Sequence, residues 1–319
     1  MTTNAFAHHA PTEYDFDQTV EVEGTIVEVK WQNPHVTLKV RDSKDPTKVW
    51  DIEGSGVSML RRTTAANVRP RFNEKVRVAG NPSRRSASRM FGANLLLASG
   101  QELVFEPGGK PRWKAAASGT KSVFFEGASA AGKASIFRVW STKLDDPWSS
   151  TMSEERLTQA AKDQLAKWNP ITDSVTKGCE PVGVPMLMEQ PYPIEFVQKQ
   201  NRIVLRIELY DLERVFYLRP STARRALPKG ILGRSTATWE GATLVVTTDG
   251  ITWPYLSYAG VPMSEEALLV ERFTPTSDGT RLQYSAIVTD PVYLKEPIRE
   301  ERSWVARHTE AVQPYNCMD

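Results

Sequence analysis

The chain has four histidines, His8, His9, His35 and His308, and the first three are a candidate metal set. Ala5-Phe6-Ala7 carries the small-x-small pattern that signal peptidase reads, which would make His8 the first residue of the mature chain. A free amine with its own imidazole, joined by His9 or His35, is a nitrogen-rich set that suits copper better than magnesium or calcium. The arm must then fold back onto the turn at Asn33-Pro34. The plainer alternative is two solvated histidines and a His35 that caps its turn.

A second set lies between residues 193 and 306. Arg206, Glu208 and Tyr210 alternate with Ile203, Leu205, Ile207 and Leu209 on one expected strand. Glu271 alternates with Leu269 and Phe273, Glu300 shares a face with Arg302, and Asp290-Pro291 ends a strand. If the polar faces converge inside a barrel, a carboxylate of raised pKa could act as acid or base while Arg206 holds an anion. Glu208, Glu271, Arg206, Tyr210 and Asp290 are therefore the expected catalytic residues. Arg272 falls on the face opposite Glu271. If the charges face water instead, they form cross-strand ion pairs that each contribute little. A third set is the loop 251–262, ITWPYLSYAGVP. Trp253, Tyr255 and Tyr258, together with Trp239, are the expected ligand contacts, the loop serving either as a lid over an apolar molecule or as a plug for the barrel core.

Elements must position these groups. Over residues 18–105 the pattern is three strands, a short helix at 55–63, and two more strands, which is the order of a five-stranded OB-like barrel. Gly24 sits within the first strand, where a glycine lets a long strand bend and serve two sheets. Residues 106–145 turn to Gly, Ala, Ser and Lys and read as a linker, ending in an apolar docking strand at 136–140. Residues 146–317 begin with a helix expected over 151–168, with Thr151 and Glu154 as its capping box. Eight strands follow, at 194–198, 202–210, 213–219, 234–240, 242–249, 267–274, 280–289 and 298–306. Asp278-Gly279 is a strong hairpin turn. The fold class is mainly β: the OB-like barrel, then a larger antiparallel, lipocalin-like barrel with one packed helix.

With 319 residues the chain is long enough for two domains. A net charge of +2 argues against nucleic acid or an acidic membrane as partner. Arg84, Arg85 and Arg89 read as a solvated loop. No apolar run is long enough to span a bilayer. Cys179 and Cys317 are the only cysteines. In an oxidising compartment they could tie the C-terminal tail to the start of the second domain, and so long a loop contributes roughly 4–5 kcal/mol in the chain-entropy model. The nucleophile elbow, the Walker loop, the dinucleotide fingerprint and the HExxH zinc motif are all missing from the sequence.

Two stretches carry a resemblance. AHHAPTEYDF, VEVEGTIVEVKWQNPHV and VRVAGNPSR resemble a family of small exported bacterial proteins of unknown function, with a histidine pair after the cleavage site and Asn-Pro-His after the first strand. PYPIEFV, IELYDLERVFYL, TWEGATLVVTT, VERF and TDPVYLKEP are similar to a widespread set of uncharacterised secreted bacterial proteins. That second set usually has aspartate where this chain has Ala242. The resemblance implies export and brings no activity.

The sequence thus leads to a periplasmic or secreted protein that binds a small, largely apolar molecule in its C-terminal barrel and needs no cofactor. The alternatives are a cofactor-free isomerase, lyase or hydrolase in the same barrel, and a copper protein using His8, His9 and His35.

Overall fold

The computed structural model describes residues 13–63, 65–106, 109–113, 117–119, 134–142, 149–169, 172–176, 178–218, 226–307 and 310–318. His8, His9 and His308, and most of the expected linker, lie outside them. The described residues fall into two compact units, residues 13–119 with 315–318, and residues 134–314. Each closes a β-barrel, of five strands in the first and nine in the second.

The smaller unit contains β1 (Val20–Lys30), β2 (His35–Asp42), β3 (Val49–Ser55), helix α1 (Val57–Leu60), β4 (Lys75–Pro82), β5 (Arg89–Leu97) and β6 (Glu102–Val104). The strand order is β3-β2-β1-β4-β5, and a parallel pairing of β3 with β5 closes the barrel as in an OB fold. Alternation fixes which face is inside: Val36, Leu38 and Val40 of β2 are fully buried with Ile26, Ile52, Val78, Met90 and Leu95. β1 pairs with β2 over Gly24–Lys30 and with β4 over Val20–Thr25. Gly24 belongs to both ladders, and a Cβ there would lie 2.2 Å from the Arg41 carbonyl oxygen. Only glycine lets the two backbones approach so closely.

The larger unit contains β7 (Val139–Ser141), β8 (Ser149–Ser150), helix α2 (Gln159–Leu165), β9 (Ile194–Lys199), β10 (Arg202–Ile207), β11 (Leu212–Leu218), β12 (Arg234–Glu240), β13 (Thr243–Asp249), β14 (Leu268–Pro275), β15 (Arg281–Thr289) and β16 (Ile298–Arg307). Strands β9 to β16 run in order as a ladder, and β7 fits between β16 and β9 to close it, while β8 adds to β16. The expected docking strand at 136–140 overlaps β7 only at Val139 and Trp140, and β7 is the ninth stave. All pairings in this ladder are antiparallel except β11 with β12. The interior carries Phe196, Phe216, Phe273, Tyr284 and Trp304, whose rings stack or meet edge to face around Phe273.

Two expectations require correction. The helix is shorter than 151–168. Leu157 is extended and bridges to Leu294, so its backbone cannot join a helix. Thr158 is the cap that operates, its Oγ1 accepting from the Ala161 N–H at 3.2 Å, whereas Thr151 Oγ1 accepts from Arg299 N–H at 2.8 Å. Nor does one strand run through 202–210. It stops at Ile207, and Tyr210 and Asp211 take positive φ of 56° and 54°. Strand alternation therefore does not reach Glu208 and Tyr210.

Cys179 and Cys317 are joined in a disulfide. Among the described residues no helix is long and apolar enough to cross a membrane.

Candidate functional site

In the smaller barrel, His35 opens β2 and Glu53 lies near the end of β3, paired with Thr37. The turn before β2 is built by Asn33, whose side chain accepts from Ser58 N–H at 3.0 Å and donates to Ser58 Oγ at 2.9 Å. His35 is buried. Its Nδ1 lies 3.2 Å from the Gly54 carbonyl oxygen and 3.2 Å from Glu53 Oε1. Both neighbours are acceptors, so the neutral ring carries its proton on Nδ1 and its lone pair on Nε2. Glu53 is 3% exposed, and its Oε2 accepts from Arg89 at 2.7 Å and from the Tyr14 hydroxyl at 3.1 Å. Burial and the charge of Glu53 push the Tyr14 hydroxyl well above its ordinary range, so it stays a donor. Arg89 also approaches Glu13 Oε1 at 3.5 Å, and Arg85 approaches Glu13 Oε2 at 3.4 Å. Two of the arginines expected in a solvated loop, Arg85 and Arg89, thus face two buried carboxylates, while Arg84 pairs with Asp15 at 3.3 Å. Sequence reasoning missed Glu13, Tyr14, Glu53 and Arg89. The signal available was Glu13-Tyr14, within the stretch that carries the family resemblance.

In the larger barrel, Glu271 of β14 and Arg214 of β11 are both buried inside. Arg214 donates to Oε1 at 2.9 Å and to Oε2 at 2.6 Å, and Tyr284 of β15 adds a bond to Oε1 at 3.1 Å. These three bonds tie β14 to β11 and β15 inside the barrel. Arg206 points the other way: its side chain is 51% exposed and pairs across the outer wall with Glu195 at 3.2 Å and Glu213 at 3.4 Å. The expected grouping of Arg206 with Glu208 and Tyr210 is therefore not present, because the strand ends between them. Glu208 is buried and accepts from the Gln313 N–H at 3.1 Å. Asp290 is a turn cap, accepting from Ser264 N–H, Ser264 Oγ, Val292 N–H and Tyr293 N–H.

Glu300 and Arg302 do share an inward face of β16. Arg302 donates to Thr142 Oγ1 at 3.0 Å and to the Met188 carbonyl oxygen. Burial, opposed by Arg302 and reinforced by Glu271, raises the Glu300 carboxyl to about 7. Glu189 is raised as well, by burial and by Glu300. Glu300 Oε2 and the Tyr258 hydroxyl are buried with no hydrogen-bond partner among the described residues.

The aromatic loop divides its rings. Trp253 is buried and its indole N–H meets Met186 Sδ at 3.4 Å. Tyr255 is half-buried and meets Trp168 edge to face at 5.6 Å and Trp253 at 5.8 Å. Trp239 is on the outer wall against Phe137, away from this loop's packing. Beside Tyr255 is a groove of about 340 Å³, walled by Trp168, Pro254, Tyr255, Pro262, Met263 and Tyr293, with Gln164, Lys167 and Asp173 adding polarity. The loop thus buries Trp253 on one side and forms a wall of an open groove on the other. Gly260 permits this, since a Cβ there would lie 2.2 Å from the Trp168 ring.

Among the described residues no cluster of three or more His, Cys, Asp or Glu side chains is arranged to hold a metal. Residues 1–91 match the model of a family of unknown function, DUF6152, which takes in His8, His9, Tyr14, His35, Glu53 and Arg89. No curated protein matches the chain.

Proposed function

We propose that this is an exported binding protein whose larger barrel holds a small, largely apolar ligand in the groove between α2 and loop 251–262. The observation that carries the reading is the groove itself. Its volume of about 340 Å³ is within the roughly 300–1,000 Å³ of small-molecule clefts. Its walls are rings, prolines and a methionine, and Lys167 and Asp173 give a ligand's polar end something to meet. The disulfide supports export, because such bonds persist in oxidising compartments. Trp168 lines the groove and reports on it. Titration with small aromatic and aliphatic acids, followed by tryptophan fluorescence, should give saturable quenching, and Tyr255→Ala should weaken it at least tenfold. An unchanged response in Tyr255→Ala, or no saturable response in the wild type, would remove the reading.

A second reading has its own observation. His35 carries its neutral proton on Nδ1, which leaves Nε2 as the nitrogen able to bind a metal. With an N-terminal His8 and with His9 it would supply the nitrogen set that suits copper(II). Metal analysis of the protein beginning at His8 tests it. Uptake no greater than that of His8→Ala ends it.

A further inference from the structure

We infer that the groove between α2 and loop 251–262 selects an anion, a small monocarboxylic acid whose carboxylate meets Lys167 while its apolar body lies on Trp168, Tyr255 and Tyr293. The inference rests on the binding reading of the larger barrel. It adds the charge of the ligand and the residue that reads that charge.

Charge along the walls carries the first argument. Two ionic side chains line the groove, Lys167 and Asp173, and they are not equivalent. Asp173 Oδ2 accepts from the Asn169 N–H at 2.8 Å and Oδ1 from the Thr172 hydroxyl at 3.2 Å, so both oxygens serve their own turn. Lys167 is exposed and pairs with no carboxylate among the described residues. Asp163, four residues earlier, would be its neighbour on a helix, but Asp163 takes the Gln159 amide at 2.8 Å instead. The cation of α2 itself, Lys162, already faces Glu154 at 3.8 Å. Loop 251–262 has no charged residue, so the opposite wall brings no counter-charge. Gln164 also lines the groove, and its side-chain amide bonds to none of the described residues. The groove thus presents an unanswered ammonium with an amide donor, while its one carboxylate is engaged.

The apolar walls carry the second. Trp168 and Tyr255 hold each other edge to face at 5.6 Å, and Gly260 lets the loop close on the Trp168 ring. Pro254, Pro262 and Met263 complete a surface that gains from burying an apolar body. One cation answers one negative charge. A dianion would leave its second charge against Asp173 and the rings, where nothing repays its lost hydration. The body therefore supplies most of the affinity, and Lys167 sets the sign of the charge and the orientation. Because Lys167 is exposed, its preference is modest, about fivefold at most, the range of a solvated ion pair.

The test uses the full chain at neutral pH, tryptophan fluorescence, and three probes of one shape: hydrocinnamate, hydrocinnamamide and phenylpropylamine, which are anionic, neutral and cationic. The acid should bind about two- to fivefold more tightly than the amide, with the amine weakest. The gap between acid and amide should narrow as salt rises, since the charge is exposed. Lys167→Gln should erase that gap, and Lys167→Glu should place the amine first. Both changes are at an exposed side chain, where substitutions cost little stability. Saturable binding in which the amide or the amine equals the acid overturns the inference and leaves the groove reading standing. A gap that survives Lys167→Gln does the same. No saturable response to any of the three overturns both.

Discussion

The two barrels each bury a glutamate on an arginine and a tyrosine. In the larger one, Glu271 takes Arg214 on both oxygens and Tyr284 on one. In the smaller one, Glu53 takes Arg89 and Tyr14 on the same oxygen, and the other faces His35. The residue types are almost the same and the consequence differs. A bidentate arginine engages both oxygens of its carboxylate and, with Tyr284, ties three strands together. A one-sided arginine leaves the second oxygen to act on a neighbour. Composition of a buried polar cluster therefore says little about its use; the count of committed oxygens says more.

Breaking the closed cluster should have the largest effect. Glu271→Ala leaves the Arg214 guanidinium buried without its partner and should cost about 3–5 kcal/mol, read by denaturant unfolding of the larger barrel. A loss under about 1 kcal/mol would mean that water or another group replaces the carboxylate.

Next come the two tyrosines. Tyr14→Phe and Tyr284→Phe each remove one bond to a charged oxygen, worth about 1.5–3 kcal/mol. Both should destabilise, each read by denaturant unfolding of its own barrel, and a loss under about 0.5 kcal/mol in either would mean that water takes the place of the hydroxyl.

The inner face of β16 supplies a pH test. Glu300 titrates at about 7 in the folded chain, against 4.5 ordinarily. The folded state thus holds a proton that the unfolded state has released, so the contribution of this carboxyl to stability is fully present below about pH 4.5 and is lost as pH rises through about 7. Urea midpoints measured across that window should show the wild type losing stability relative to Glu300→Gln as pH rises. Identical slopes would locate the proton elsewhere.

The smallest effect belongs to the outer wall. Arg206→Ala should cost less than about 1 kcal/mol, since its pairs with Glu195 and Glu213 are solvated. A thermal melt shifted by more than a few degrees would contradict an exposed role.

Legibility in the sequence followed the range of the interaction. The strands of both barrels were readable to within a residue or two almost everywhere, because alternation and turns such as Asp278-Gly279 are local. The helix start was not, because the bridge from Leu157 to Leu294 is set by a residue far along the chain. Arg206 and Glu208 look like partners on paper, but the turn at Tyr210 with its positive φ ends the strand between them. His35 and Glu271 could be singled out as chemically notable, while Glu53 and Arg214 were not: Glu53 reaches His35 through the register of the β2–β3 hairpin, and Arg214 on β11 is far along the chain from β14.

From the sequence alone, then, came two β-barrel units, the inward-facing apolar residues and the histidines worth watching, since each depends on neighbours a few positions away. The tertiary structure alone decided which charges were neutralised and which nitrogen of His35 holds its proton. Those depend on distances of about 3 Å between residues from different strands, and barrel closure sets such distances.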